Sequence, residues 1–399
     1  MIILPIVIIT GKVVAVLHFT DFAKQVEYIQ KIFFITGVAM LIQLCFGHRL
    51  PLVSGPSMIL LIGIAASRGS DLNSIYSAIL FGGIFLTLLA ITGMLSRLNK
   101  IFTQKVVATI LLMVAFTITP TILNLIVKPY PLAFMNFCFA LIFLSLMFVV
   151  NRFLSGIWEA TLILWATIIG SLVYLAINPP QTFPEVNLVS LPLSKPISIV
   201  FDPALLFSFV VCFFALLIND IGSLQSVGPI INPDKMGVRM TRGVTVTGIS
   251  NILAGFIGVI GVVNYTLSPG VIVATKNASR YTLIFAALIL VVLSFLPIFL
   301  AIISLIPSVV VAVVLTYVMC SQISAGLSIV FEHGFKFEDG LIISLPIMLS
   351  ILVSFIPKEA LKTFPPVLLP ILGNGFVVGV LAVLFMEQVV FREKKYRNS

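Results

Sequence analysis

The stretch VVNYTLSPG, residues 262–270, places a Pro-Gly pair and several polar side chains inside an otherwise apolar region. A second stretch, LPLVSGPSM at residues 50–58, has the same ingredients: residues suited to a strand, then Ser, then Gly and Pro. Non-helical backbone at membrane depth must be buried in protein or line a cavity, because lipid offers it no hydrogen-bonding partner. The similarity of the two stretches indicates one structural device that is used twice.

Composition supports the membrane setting. Hydrophobic residues make up 60% of the 399 residues and charged residues 9%, whereas soluble domains carry about 25% charged residues. Long apolar runs without regular alternation favour helices over a β-barrel. The net charge of +9 is explained by basic loops of a membrane protein, so no nucleic-acid partner is predicted. The scattered cysteines and histidines predict neither disulfides nor a metal site, and nothing indicates a cofactor.

The spacing of the apolar runs predicts an internal repeat. Taking roughly 20 apolar residues as one span gives about fourteen candidate spans. Two of them, 55–67 and 268–276, are too short to cross a bilayer alone, and each follows one of the two breaks. They are the third and tenth spans, so they occupy equivalent positions in two repeats of seven spans. Because seven is an odd number, the second repeat has the opposite orientation in the membrane. We therefore expect an all-α polytopic protein with short antiparallel strands in spans 3 and 10.

The two breaks also predict a binding site. Residues 50–54 and 262–267 are expected to pair as strands near the bilayer midplane and then to turn into helices at Pro56 and Pro269. Serine is a good N-cap and proline suits the first helical turn. The N-termini of both helices would then face one cavity, which suits carbonyl oxygens or anions. A pair of kinked helices without a ligand is the alternative.

Four stretches follow one another along the chain: GVAMLIQLCFGHRLPLVSGPSM (37–58), RGVTVTGISNILAGFIG (242–258), NYTLSPGVIVATK (264–276) and LGNGFVVGVLAVLF (372–385). Together they resemble the nucleobase/ascorbate transporters, the nucleobase–cation symporter 2 family. The resemblance implies fourteen spans in two inverted repeats, a core domain from residues 1–98 and 198–304, and a gate domain from residues 99–197 and 305–391. Residues 392–399 would be a tail. It further implies a homodimer and nucleobase uptake that is coupled to protons.

The resemblance also assigns candidate site residues, with departures from the family pattern. Asn219 stands where the family usually has a substrate-binding glutamate, Leu267 where a second acid is common, and Met58 where a phenylalanine often stacks on the base. Tyr265 matches the family's aromatic residue. The remaining substrate-binding candidates lie at the two turns: Ser57, Thr266 and Ser268.

Asp220 is the candidate for proton coupling. It is the carboxylate next to Asn219, about 100° around the helix, and an intramembrane acid is a functional hypothesis by default. Asn219 cannot titrate, but its amide offers a donor and an acceptor to a cyclic imide edge. Asp220 as a helix cap or inter-helix partner is the alternative.

The first span and the loop charges complete the prediction. MIILPIVIITGK is apolar from its first residue, so we expect a truncated first helix, about half a span long. Most of the 23 Lys and Arg fall on one side of the alternating loops, which predicts a multi-pass protein of the cell membrane with a cytoplasmic C-terminus. The predicted function is a secondary nucleobase permease; an anion or other small-solute permease, or an inactive paralogue, are the alternatives. A membrane enzyme is disfavoured because no catalytic cluster lies in the spans.

Overall fold

The computed structural model describes residues 3–67, 69–95, 103–179, 191–192, 196–265, 268, 272, 277–331, 336–361, 363–365 and 368–391. These residues are mostly helical. Seven helices are long and apolar enough to cross a membrane, or eight if one bent pair is a single span, and shorter apolar helices accompany them.

The helices and strands are numbered here in chain order. The first half of the chain holds α1 (Ile3–His18), α2 (Phe22–Cys45), β1 (Ser54–Pro56), α3 (Met58–Ala66), α4 (Leu72–Ile91), α5 (Gln104–Thr117), α6 (Thr119–Val127), α7 (Ala133–Phe153), α8 (Ile157–Ala160) and α9 (Leu162–Ile177). The second half holds α10 (Pro203–Ile231), α11 (Met236–Ile257), β2 (Val262–Asn264), α12 (Arg280–Ser294), α13 (Pro297–Ser304), α14 (Ser308–Phe331), α15 (Phe337–Ser354), α16 (Lys358–Leu361), α17 (Leu369–Leu372) and α18 (Gly375–Phe385).

The two sequence breaks meet as a two-stranded antiparallel sheet. β1 pairs with β2 in the register Ser54 to Asn264, Gly55 to Val263 and Pro56 to Val262, and all six residues are buried. Their backbone groups therefore satisfy one another where lipid could not. The first strand lies later than expected, at residues 54–56 instead of 50–54.

The first short helix also begins later than expected. Pro56 belongs to the strand, and α3 starts at Met58 with Ser57 as its N-cap. The Ser57 hydroxyl accepts a hydrogen bond from the backbone N–H of Leu60 at 3.3 Å, which satisfies one of the free donors of the first turn. The predicted start of the second short helix at Pro269 lies outside the described residues.

Helix α1 is longer than the half span that was expected. It has 16 residues, which corresponds to about 24 Å, still short of the roughly 20 residues of a full span. It packs against α2, β1 and α3. It thus supplies a wall beside the strand pair.

The most extensive helix packing joins α4 to α11 and α2 to α12. At the α4–α11 crossing the backbones touch: a Cβ on Gly83 would lie 2.6 Å from the backbone nitrogen of Ile252 and 2.8 Å from the carbonyl oxygen of Gly248. Small residues permit this approach, as is common between membrane helices. A second group is formed by α5, α14, α15 and α18.

Candidate functional site

A small cavity lies at the N-terminus of α3. Its volume is about 40 Å³, and it is lined by Ile6, Ser57, Met58, Ile59, Val114, Asn219, Val263, Tyr265, Val318 and Gln322. Four of the predicted site residues therefore share one cavity: Ser57, Met58, Asn219 and Tyr265.

The first turn of α3 forms one wall of this cavity. The Ser57 backbone N–H donates to the carbonyl of Gly261 at 2.9 Å, which ties the helix start to the residue before β2. The positive end of a helix dipole favours a partly negative group in front of it. The wall therefore suits a carbonyl oxygen or an anion.

Tyr265 is held rigidly across the strand pair. Its backbone N–H donates to the Val53 carbonyl at 2.8 Å, and its hydroxyl donates to the Pro56 carbonyl at 3.0 Å. A Cβ on Gly55 would overlap the Tyr265 side chain, so glycine is required there. The aromatic ring is thus preorganised beside the cavity.

Asn219 presents an amide to the cavity from α10. Its Nδ2 donates to the carbonyl of Asn264 at 3.3 Å, and the side chain is half-buried. Within the described part of the chain, its Oδ1 accepts no hydrogen bond. An acceptor is therefore available to a ligand, and the amide nitrogen has a second hydrogen to offer.

Asp220 is not among the residues that line this cavity, and it is fully buried. Its Oδ1 accepts from the backbone N–H of Asn264 at 3.2 Å and from Asn264 Nδ2 at 2.7 Å. Its Oδ2 accepts from the Thr247 hydroxyl at 2.8 Å. The carboxylate therefore anchors β2 to α10 and α11.

A polar network continues behind β2. Asn251 Nδ2 donates to the carbonyls of Thr247 and Val262 at 2.7 and 2.8 Å, and Gln43 Nε2 donates to the Thr247 hydroxyl at 2.9 Å. Sequence reasoning did not single out these three residues. Their signal was present, since Thr247 and Asn251 are four residues apart and share one face of α11.

Ser268 has a structural place in this arrangement. Its hydroxyl accepts from the Val53 backbone N–H at 3.0 Å and donates to the Tyr265 carbonyl at 2.7 Å. It is buried and does not line the cavity. The other two candidates at this turn, Thr266 and Leu267, lie outside the described residues.

Two further polar groups escaped sequence reasoning. Gln322 of α14 lines the cavity, together with Val318 one helical turn earlier. Lys12 of α1 is 7% exposed, and its ammonium donates to the carbonyls of Ser304 and Ile306. Lys12 was detectable as a charge within an apolar helix; the partners of both residues depend on distant segments.

A larger cavity of about 670 Å³ opens at the other end of α3. Residues from four regions line it. They are Val16 and Leu17 at the end of α1; Ala65, Ala66, Ser67, Gly69 and Ser70 at the end of α3; Pro120, Thr121, Asn124, Leu125 and Lys128 around α6; and Ser308, Val353, Ser354, Ile356, Leu361 and Gly373 at the ends of α14 to α17. A nine-residue helix thus separates this vestibule from the small cavity.

Among the described residues, no group of three or more His, Cys, Asp or Glu side chains is arranged to hold a metal ion. The cavity chemistry consists of a helix N-terminus, amide and hydroxyl groups, and apolar side chains. Such a site can bind a small polar solute by hydrogen bonds.

A strand pair that interrupts a bundle of membrane-length helices beside a small cavity is typical of transporter folds. Two solved structures have this fold. The transmembrane domain of a cyanobacterium bicarbonate transporter, BicA, matches 88% of this chain and 96% of its own at 14% identity, with a TM-score of 0.63. The murine anion transporter Slc26a9 in its inward-facing state matches 96% of this chain and 66% of its own at 14% identity, with a TM-score of 0.60.

The chain belongs to the xanthine/uracil permeases: the profile described as "Permease family" matches residues 1–359. Among its relatives, the putative purine permease YwdJ of Bacillus subtilis is 25% identical over 95% of this chain and 91% of its own. The nucleobase transporter PlUacP of Paenibacillus larvae is 25% identical over 92% and 87%. The family resemblance predicted from the sequence is confirmed, and the chain is a transporter and not an enzyme.

Proposed function

We propose that this protein carries a purine or pyrimidine base across the cell membrane and binds it in the cavity at the N-terminus of α3. The observation that carries this proposal is the convergence of Asn219, Tyr265 and the α3 N-terminus on one cavity. The Asn219 amide would pair with an imide edge of the base, the α3 N-terminus would face a ring carbonyl, and Tyr265 would contact the ring.

The mechanism we propose is movement of a core domain against a gate domain. The cavity is lined by α1, α3, α10 and β2 on one side and by α5 and α14 on the other. Its volume of about 40 Å³ is far below the roughly 300 Å³ of a typical ligand pocket. A base therefore needs the two sides to separate, with the boundaries 1–98 plus 198–304 and 99–197 plus 305–391.

Helix pairing supports the inverted seven-span repeat. If α2 and α4 are spans 2 and 4, and α11 and α12 are spans 9 and 11, the α2–α12 contact is the counterpart of the α4–α11 contact. An inverted repeat produces such matched pairs. The full fourteen spans, a homodimer and a cytoplasmic C-terminus are part of the same proposal.

Proton coupling is proposed to reside at Asp220. A proton on the carboxylate would turn one oxygen from an acceptor into a donor. The hydrogen bonds to Asn264 and Thr247 would then have to rearrange. Because Asn264 directly precedes Tyr265, which lines the cavity, this rearrangement of hydrogen bonds would change the position of the cavity wall through β2.

An anion permease is the second candidate. The described lining of the small cavity contains no carboxylate and includes a helix N-terminus, which favours a negative ligand. The two solved structures with this fold carry titles that name a bicarbonate and an anion transporter.

Purified protein in liposomes separates these candidates. Uptake of labelled uracil, xanthine, hypoxanthine and urate is compared with uptake of bicarbonate and sulfate, with and without an inward proton gradient. The proposal expects saturable base uptake that Asn219→Ala weakens, and accumulation that follows the proton gradient. Uptake of an inorganic anion without any base would favour the second candidate, and no uptake at all would indicate an inactive paralogue.

A further inference from the structure

Gln322 is the polar side chain that α14 contributes to the small cavity. It lies four residues after Val318, so both occupy the same helix face. The third residue on this side of the cavity is Val114 of α5. The wall that faces the core domain is thus apolar except for one amide.

The Gln322 amide is not used by the fold. The side chain is half-buried, and among the described residues it donates and accepts no hydrogen bond. Other polar side chains of α14 differ: the hydroxyls of Thr316, Ser321 and Ser328 bond to carbonyls of their own helix. The Gln322 amide therefore keeps a donor and an acceptor beside the cavity that a ligand can use.

We propose that Gln322 contacts the substrate from the gate domain and determines its specificity. This inference rests on the proposed function and extends it to a second recognition surface. With Asn219 on one side and Gln322 on the other, a bound base forms hydrogen bonds along two of its edges. A substrate that bridges both sides also links binding to closure of the domains.

The predicted specificity depends on where the base carries hydrogen-bond donors and acceptors. Gln322 offers both a donor and an acceptor, so it favours bases with hydrogen-bonding groups on both edges. An N-methyl group on the edge that faces Gln322 should remove that contact and crowd the closed cavity. Discrimination against such a methylated analogue is therefore assigned to α14.

The test uses Gln322→Met, which keeps the length of the side chain and removes the donor and acceptor. Ser321→Ala is the matched control, since Ser321 is exposed on the same helix. In liposomes, Gln322→Met should raise the KM of the best base roughly tenfold and reduce discrimination against one N-methylated analogue. Ser321→Ala should leave both values unchanged.

A second measurement distinguishes loss of base binding from misfolding of the variant. The temperature of unfolding in detergent is measured with and without saturating base, because a ligand stabilises the state that it binds. Gln322→Met should keep the ligand-free value and lose part of the base-induced increase. If the wild type transports bases but Gln322→Met leaves KM and analogue discrimination unchanged, this inference alone is overturned. A wild type that transports no base would overturn the proposed function, and this inference with it.

Discussion

Asp220 and Asn264 are joined by two hydrogen bonds that end on a single carboxylate oxygen, one from the backbone N–H and one from the side-chain amide of Asn264. Asn219, the preceding residue, lines the small cavity instead. Two neighbouring residues on one helix thus have separate places, one at the cavity and one in the network behind β2.

Asp220→Asn tests the coupling role. We expect this variant to lose accumulation driven by a proton gradient and to keep base binding and downhill exchange, because asparagine retains an acceptor for Asn264 but cannot titrate. The measurement is uptake against pH in liposomes. Thr247→Val, which removes the partner of Oδ2, is the control for a disturbed network. An unchanged pH profile in Asp220→Asn would mean that the carboxylate is only structural.

Asn219→Ala tests the binding role. The variant should weaken base binding by roughly 1–3 kcal/mol, the cost of an unmatched buried polar contact. Competition binding with a labelled base measures the effect. Ser223→Ala is the matched control, because the Ser223 hydroxyl also donates to the Asn264 carbonyl, at 2.8 Å. Equal losses in both variants would show that Asn219 acts through β2 and does not contact the base.

Lys12→Met tests the buried ammonium. The carbonyls of Ser304 and Ile306 would lose their cationic donor. The free energy of unfolding in detergent should therefore fall by roughly 1–3 kcal/mol. Lys31→Met is the control: its partner Glu27 lies 3.2 Å away on the same helix, and such i,i+4 pairs contribute only about 0.3–0.5 kcal/mol. A loss in Lys12→Met no larger than in the control would contradict this role.

Gly83→Ala tests the α4–α11 contact. A methyl group there would meet the backbone of α11 at 2.6 to 2.8 Å, and overpacking of this kind costs about 1–3 kcal/mol. Gly222→Ala, where no atom lies within 4 Å of the added Cβ, should be neutral or slightly stabilising. Thermal unfolding of both purified variants checks the difference, and similar stabilities would argue against the close backbone approach.

Ser70→Cys tests the direction in which the vestibule opens. Ser70 is exposed and lines the vestibule, and the alternation of the loops predicts that it lies on the side opposite the basic loops. In a background without native cysteines, an impermeant thiol reagent added to intact cells should label Ser70→Cys. Lys235→Cys, exposed on a basic loop, should react only after permeabilisation. The reverse pattern would show that the proposed orientation is wrong.

The sequence by itself determined the setting and the main device. The scarcity of charge places the chain in a membrane, and two polar, Gly- and Pro-containing breaks in apolar surroundings cannot face lipid. A serine N-cap for the first short helix follows from local backbone chemistry, but the sequence placed the start of that helix at Pro56, whereas α3 begins at Met58 with Ser57 as its N-cap. The approximately 100° between consecutive helix residues already implied that Asn219 and Asp220 face different directions. These conclusions depend only on neighbours along the chain.

Only the tertiary structure decided which partner each polar group meets. The choice of Asn219 for the cavity and Asp220 for the network depends on where β2 lies beside α10. The strand register, with Pro56 opposite Val262, depends on two segments about 200 residues apart. Gln322 reaches the cavity, and Lys12 the end of α13, through packing between distant helices. The helical periodicity of a sequence shows on which face of its helix a residue lies. Which helix or strand packs against that face depends on the packing of the whole bundle.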